Sequence, residues 1–136
     1  MQLVYRPDTI IERPNAFETT GKLVLFAGNV PGDVFREWFA CSGGWGKGSI
    51  PHGIYLLSKA IKLPEAGNDA YKKESFPWVI HLTPTRFVGR DALALHPDGN
   101  IPGTLGCIGI MQDDIDCYEV LSASIAKVGK LYLKVF

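Results

Sequence analysis

The 136-residue chain reads as a mainly β protein, a sandwich or barrel-like sheet carrying one helix in its C-terminal half. Three observations predict this class. Short apolar runs recur along the whole chain, turn-forming residues separate them, and only one segment carries helical spacing.

The runs follow in order. Leu3-Val4-Tyr5 opens the chain, and Lys22-Leu23-Val24-Leu25-Phe26 is a clear apolar stretch. Gly53-Ile54-Tyr55-Leu56-Leu57 leaves a turn at Pro51, and Trp78-Val79-Ile80-His81-Leu82 lies between Pro77 and Pro84. Ala92-Leu93-Ala94-Leu95-His96 comes next, and Lys130 to Phe136 alternates polar and apolar residues as a half-exposed strand does. Ser42-Gly43-Gly44, Asp98-Gly99-Asn100 and Pro102-Gly103 mark turns. Residues 28–50 form the longest stretch without an assigned element, glycine-rich and carrying Trp38, Phe39 and Trp45. The helix begins at Asp113-Asp114, whose charges suit the positive end of its dipole. Ile115, Tyr118, Val120, Leu121 and Ile125 give it an apolar face, and Gly129 ends it.

The length suits a single domain over 1–136 with one core. Hydrophobic residues make up 46% and charged residues 21%, the balance of an ordinary folded protein. Fourteen basic residues offset fourteen acidic ones, so no electrostatic excess points to nucleic acid or an anionic membrane. No run approaches the roughly 18 apolar residues of a membrane span. The N-terminus, Met1-Gln2-Leu3-Val4-Tyr5-Arg6-Pro7, lacks the basic start and apolar stretch of a signal peptide. The expectation is a protein made in the cytoplasm. Three cysteines without a CxxC pair, and histidines scattered at 52, 81 and 96, argue against a zinc site with regular ligand spacing.

The chemistry concentrates in residues 96 to 110. His96 ends a predicted strand, and a loop rich in glycine and proline returns the chain to Cys107. A thiol attacks a carbonyl as its thiolate, and a neighbouring imidazole can take the proton. Gly106 permits a tight turn whose N–H groups suit an oxyanion hole. Cys41 and Cys117 read as buried apolar residues. His52 is expected to be exposed, Asp98 receives no role beside His96, and Gly99 and Gly103 are expected to serve the backbone.

His96 followed by Thr104-Leu105-Gly106-Cys107-Ile108 resembles the motif of the L,D-transpeptidase catalytic-domain family, a histidine and then Ser/Thr-x-Gly-Cys. Upstream, Gly48-Ser49-Ile50-Pro51-His52-Gly53-Ile54-Tyr55 is similar to that family's proline turn into a strand. Downstream, an acidic helix start, Val128-Gly129 and a terminal strand repeat its order, so the resemblance covers about residue 48 to the end. Leu105 stands where many members have histidine or asparagine, and Gly109 where many have arginine. With its short loop, the chain resembles the compact branch found among secreted antibacterial effectors and phage-associated proteins.

The resemblance implies an L,D-transpeptidase-like β-sandwich or barrel acting without metal or cofactor on peptidoglycan stem peptides. Cys107 would form an acyl-enzyme with His96 as its base, its ring oriented by a backbone carbonyl. Transfer would run to an amine or to water, as transpeptidase, amino-acid exchanger, carboxypeptidase or endopeptidase. The site of action would be the periplasm or cell wall after delivery by a route without a cleaved signal, with a cognate immunity or delivery protein as a further partner. Thr104, Arg90, Trp45 and His81 are the candidate substrate contacts. Arg90 suits a carboxylate, and Trp45, with Trp38 and Phe39, suits the wall of a groove. His81 lies mid-strand, a position equally suited to a core or surface histidine. The competing expectation is a catalytically silent binding or structural module of a phage or secretion particle, which Leu105 and Gly109 favour.

Overall fold

A computed structural model describes residues 1–28, 32–99 and 103–136. Nine strands form one sheet: β1 (Gln2–Glu12), β2 (Phe17–Phe26), β3 (Val34–Gly43), β4 (Gly53–Leu57), β5 (Ile61–Lys62), β6 (Trp78–Pro84), β7 (Ala94–Pro97), β8 (Ile108–Ile110) and β9 (Tyr132–Val135). The order β4-β9-β1-β2-β3-β8-β7-β6 closes on itself because β4 also pairs with β6, and β5 extends the sheet on β6. Closure of this kind removes the open edges that a sandwich must protect. The mainly β expectation therefore takes its barrel form.

Alternation along the strands fills the barrel with Leu3, Tyr5, Leu23, Leu25, Tyr55, Trp78, Ile80, Leu95, Ile108 and Leu133, all buried. The strands at 53–57 and 78–84 agree with their apolar runs, whereas β1 and β2 extend as a hairpin well beyond them. The unassigned stretch 28–50 contains β3. Its first four residues are exposed and its last four are buried, so it shows neither simple alternation nor a continuous apolar run. It forms because β2 and β8 supply partners on both sides. The turns expected at Asn100 and Pro102 lie outside the described residues.

The helix α1 (Asp114–Val128) occupies the expected span, with Asp113 and Gly129 as its caps. Cys117 and Leu121 join the barrel core. Its acidic start serves packing as well as the dipole: Trp78 Nε1 donates to Asp114 at 3.2 Å, and Trp38 Nε1 donates to Asp116 at 3.0 Å. Burial, and then a hydrogen bond to Glu74, pushes the Asp114 carboxyl up to about 6. A carboxyl raised in the folded state contributes stability below its unfolded value, and that contribution is lost as pH rises through about 6. Asp114→Asn should therefore stabilise the protein by about 1–2 kcal/mol at pH 7.5, net of the lost helix-dipole term, and by nothing below pH 4. Urea unfolding at the two pH values checks this; an equal effect at both would refute it. No helix is long and apolar enough to cross a membrane among the described residues.

Candidate active site

β7 and β8 run parallel, pairing Leu95 with Ile108 and His96 with Gly109. Leu95 and Ile108 point into the core. His96 on β7 stands beside Gly109 of β8, and Cys107 directly precedes β8. Both line one cleft of about 630 Å³, together with Trp45, Tyr71, Arg90 and Leu105. The parallel pairing of β7 with β8 thus brings His96 and Cys107 to the same cleft.

His96 is buried, and its Nδ1 lies 2.7 Å from the carbonyl oxygen of Pro97. A carbonyl only accepts, so Nδ1 carries the proton and Nε2 presents its lone pair. The edge-on ring of Tyr71 sits 4.6 Å from the imidazole centroid. Tyr71 comes from a single 3₁₀ turn, Asp69–Tyr71, packed where a Cβ on Gly99 would lie 2.5 Å from the Ala70 carbonyl oxygen. Burial pulls the His96 pKa below its ordinary 6.5, and the Pro97 carbonyl opposes part of that fall.

Cys107 is half-buried, and its thiol donates to the Ala92 carbonyl at 3.7 Å. Burial raises its pKa above the ordinary 9.0, opposed by a backbone hydrogen bond from Ala94. The resting pair is therefore a neutral thiol and a neutral imidazole, without a hydrogen bond between them. Ala92 itself holds φ +53°, the left-handed region that non-glycine residues seldom occupy. Backbone strain of this kind gathers at functional sites.

The turn before Cys107 is built by two buried hydroxyls. Thr104 Oγ1 accepts from Gly43 N at 2.9 Å and from Gly106 N at 3.2 Å, and donates to the Cys107 carbonyl. Ser42 Oγ donates to the same carbonyl at 2.8 Å and accepts from Ile50 N at 2.8 Å. These bonds bear on two expected roles. The Thr104 hydroxyl is committed to backbone and shapes the turn. The Gly106 N–H is bonded to Thr104 Oγ1 in the resting site. Gly106 is required for another reason: at φ +127° a Cβ there would lie 2.5 Å from Arg90 Nη1.

Arg90 and Trp45 do reach the cleft. His81 does not line it; it is exposed on β6, paired with Ala94 rather than at the level of His96. Asp98 is buried beside Cys41, and its carboxyl is raised by burial. Gly109 is explained by the same packing: a Cβ there would meet Asp98 at 3.0 Å, Thr104 at 3.2 Å and Cys41 at 3.3 Å. A larger side chain at that position would require these three side chains to shift. Cys41 and Cys117 are fully buried, and His52 is exposed. Sequence reasoning missed Tyr71, Ser42 and Ala92; a serine beside two glycines was the one available signal, and it reads equally as a turn. Among the described residues no group of three His, Cys, Asp or Glu side chains is placed to hold a metal ion.

Comparison with known proteins gave no matching family model, no matching curated protein and no matching solved structure.

Proposed function

We propose that this protein is a cysteine acyl-transfer enzyme acting on peptidoglycan stem peptides in the periplasm or cell wall. The observation that carries the reading is the shared cleft of Cys107 and His96, with the imidazole tautomer set by the Pro97 carbonyl so that Nε2 can accept a proton. The motif resemblance supplies the substrate class.

In the proposed reaction the Cys107 sulfur attacks the carbonyl carbon of an L-centre residue as His96 Nε2 takes the thiol proton. The C–N bond then breaks, and the imidazolium returns that proton to the leaving amine. This leaves a thioester on Cys107. Water or an amine attacks the thioester, giving its proton to His96, and the departing thiolate recovers it. Because both resting groups are neutral, thiol deprotonation belongs to the attack itself.

Incubation of purified muropeptides with wild type, Cys107→Ala and His96→Ala, read by mass spectrometry, tests the assignment. Loss of a terminal D-residue indicates hydrolysis, and replacement by an added D-amino acid indicates exchange. Unchanged muropeptides with active-fold wild type would sink it. The raised thiol and its contact with Ala92 instead of His96 favour a second reading, a silent binding module, and that negative outcome would support it.

The pH profile adds a sharper expectation. A base whose pKa is lowered stays neutral, and so competent, at more acid pH. The acid limb of kcat/KM should therefore have its midpoint below 6.5. Tyr71→Ala, by letting water reach the ring, should move that midpoint upward toward 6.5. A limb at or above 6.5 in wild type, unmoved in the variant, would contradict the buried-base reading.

A further inference from the structure

Arg90 occupies the loop between β6 and β7, half-buried on the cleft wall. Its guanidinium is held by three carbonyls: Nη1 donates to Gly48 at 3.2 Å, and Nη2 to Lys47 at 2.5 Å and Ser49 at 3.1 Å. A guanidinium has five N–H donors, so two remain. Among the described residues no carboxylate lies within ion-pair distance of it. Asp91 lines the same cleft without an ion pair to Arg90. The fixed cation therefore faces a wall otherwise made largely of apolar groups, including Trp45 and Leu105, where a charge contact is stronger than in water.

Its position relative to the nucleophile narrows the ligand. Nη1 lies 2.5 Å from the place a Cβ on Gly106 would take, so the charge sits against the residue adjoining Cys107. In a peptide losing its last residue, the attacked carbonyl carbon and the terminal carboxylate carbon are separated only by N and Cα, about 3–4 Å. In an internal bond that place is filled by a neutral amide, which leaves the cation desolvated and unpaired. We propose that Arg90 recognises the free α-carboxylate of the leaving residue, so that the enzyme trims or exchanges terminal residues and discriminates against internal bonds. The inference rests on the Cys107 reaction proposed above.

The test uses an N-acetylated peptide ending in L-lysyl-D-alanine, as the free acid and as the carboxamide, with an activated aryl ester of the same acyl group as a third substrate. Wild type should prefer acid to amide by about ten-fold or more in kcat/KM, and added salt should reduce the ratio. Arg90→Gln should bring the ratio toward one, and Arg90→Lys should keep part of it. The wild-type ratio needs no variant, so a loosened 47–49 loop cannot decide the result. Equal rates on acid and amide, with the ester cleaved through Cys107, would overturn the role of Arg90 alone. An inert ester would overturn the Cys107 reaction and this inference with it.

Discussion

Cys107→Ala is expected to reduce turnover to background, a loss on the order of 10³- to 10⁶-fold, as for nucleophile removal in other covalent enzymes. No second group in the cleft can substitute. The Thr104 hydroxyl is held by three backbone groups, and Cys41 and Cys117 are sealed in the interior. The same substitution should change stability by no more than about 1 kcal/mol, because the side chain is half-buried and its sulfur contacts only backbone, at Ala92 and Ala94. Loss of activity with an unchanged melting curve is thus the expected pair of results. Iodoacetamide should label one cysteine in the folded wild type, slowly at neutral pH because burial keeps the thiol protonated. Retained turnover in Cys107→Ala would end the acyl-enzyme proposal, whatever the labelling result.

Gly43→Ala should be the most damaging small substitution near the site. Gly43 stands at φ +86°, and a Cβ there would lie 2.3 Å from Ser49 N and 2.6 Å from both the Gly48 carbonyl carbon and the Phe17 carbonyl oxygen. All three are backbone atoms, so no side chain can swing aside. Gly43 also anchors the nucleophile turn twice, donating its N–H to Thr104 Oγ1 and accepting from Thr104 N at 2.7 Å. Left-handed strain, overpacking and a displaced anchor together should cost at least about 3 kcal/mol. Urea denaturation should show the midpoint falling with an unchanged slope. Because Thr104 then loses its seat, activity should fall even at temperatures where the variant remains folded. Gly67→Ala is the control, since it has positive φ but open space around it, and should cost about 1–2 kcal/mol without touching activity. Equal costs at the two glycines would show that the close approach to Ser49 and Phe17 is not what the site depends on.

The local pattern of the chain carried a good part of this molecule. The helix at 114–128 and the strand at 53–57 lie where their periodicity places them, because one face of each is buried and burial leaves a period in the sequence. His96 at a strand end, Cys107 after a glycine and the burial of Cys41 and Cys117 were legible for the same reason: each depends on residues nearby in the chain. β3 and β8 were not legible. Val34–Gly43 has no single burial pattern, and Ile108–Ile110 is three residues with a glycine at its centre. Their pairing depends on partners far away in sequence.

The tertiary structure alone decided how the site is assembled. Parallel pairing of β7 with β8 brought His96 and Cys107 to one cleft, while the register of β6 left His81 outside it. Asp98, Thr104 and Cys41 crowd Gly109, Tyr71 packs edge-on against His96, and burial lowers the pKa of that histidine. By itself the sequence determined which residue types have the chemistry and on which local elements they stand. It did not determine that the Thr104 hydroxyl faces backbone or that Arg90 stands against Gly106. Those are consequences of segments separated by tens of residues packing together, and contacts of that range leave no period to read.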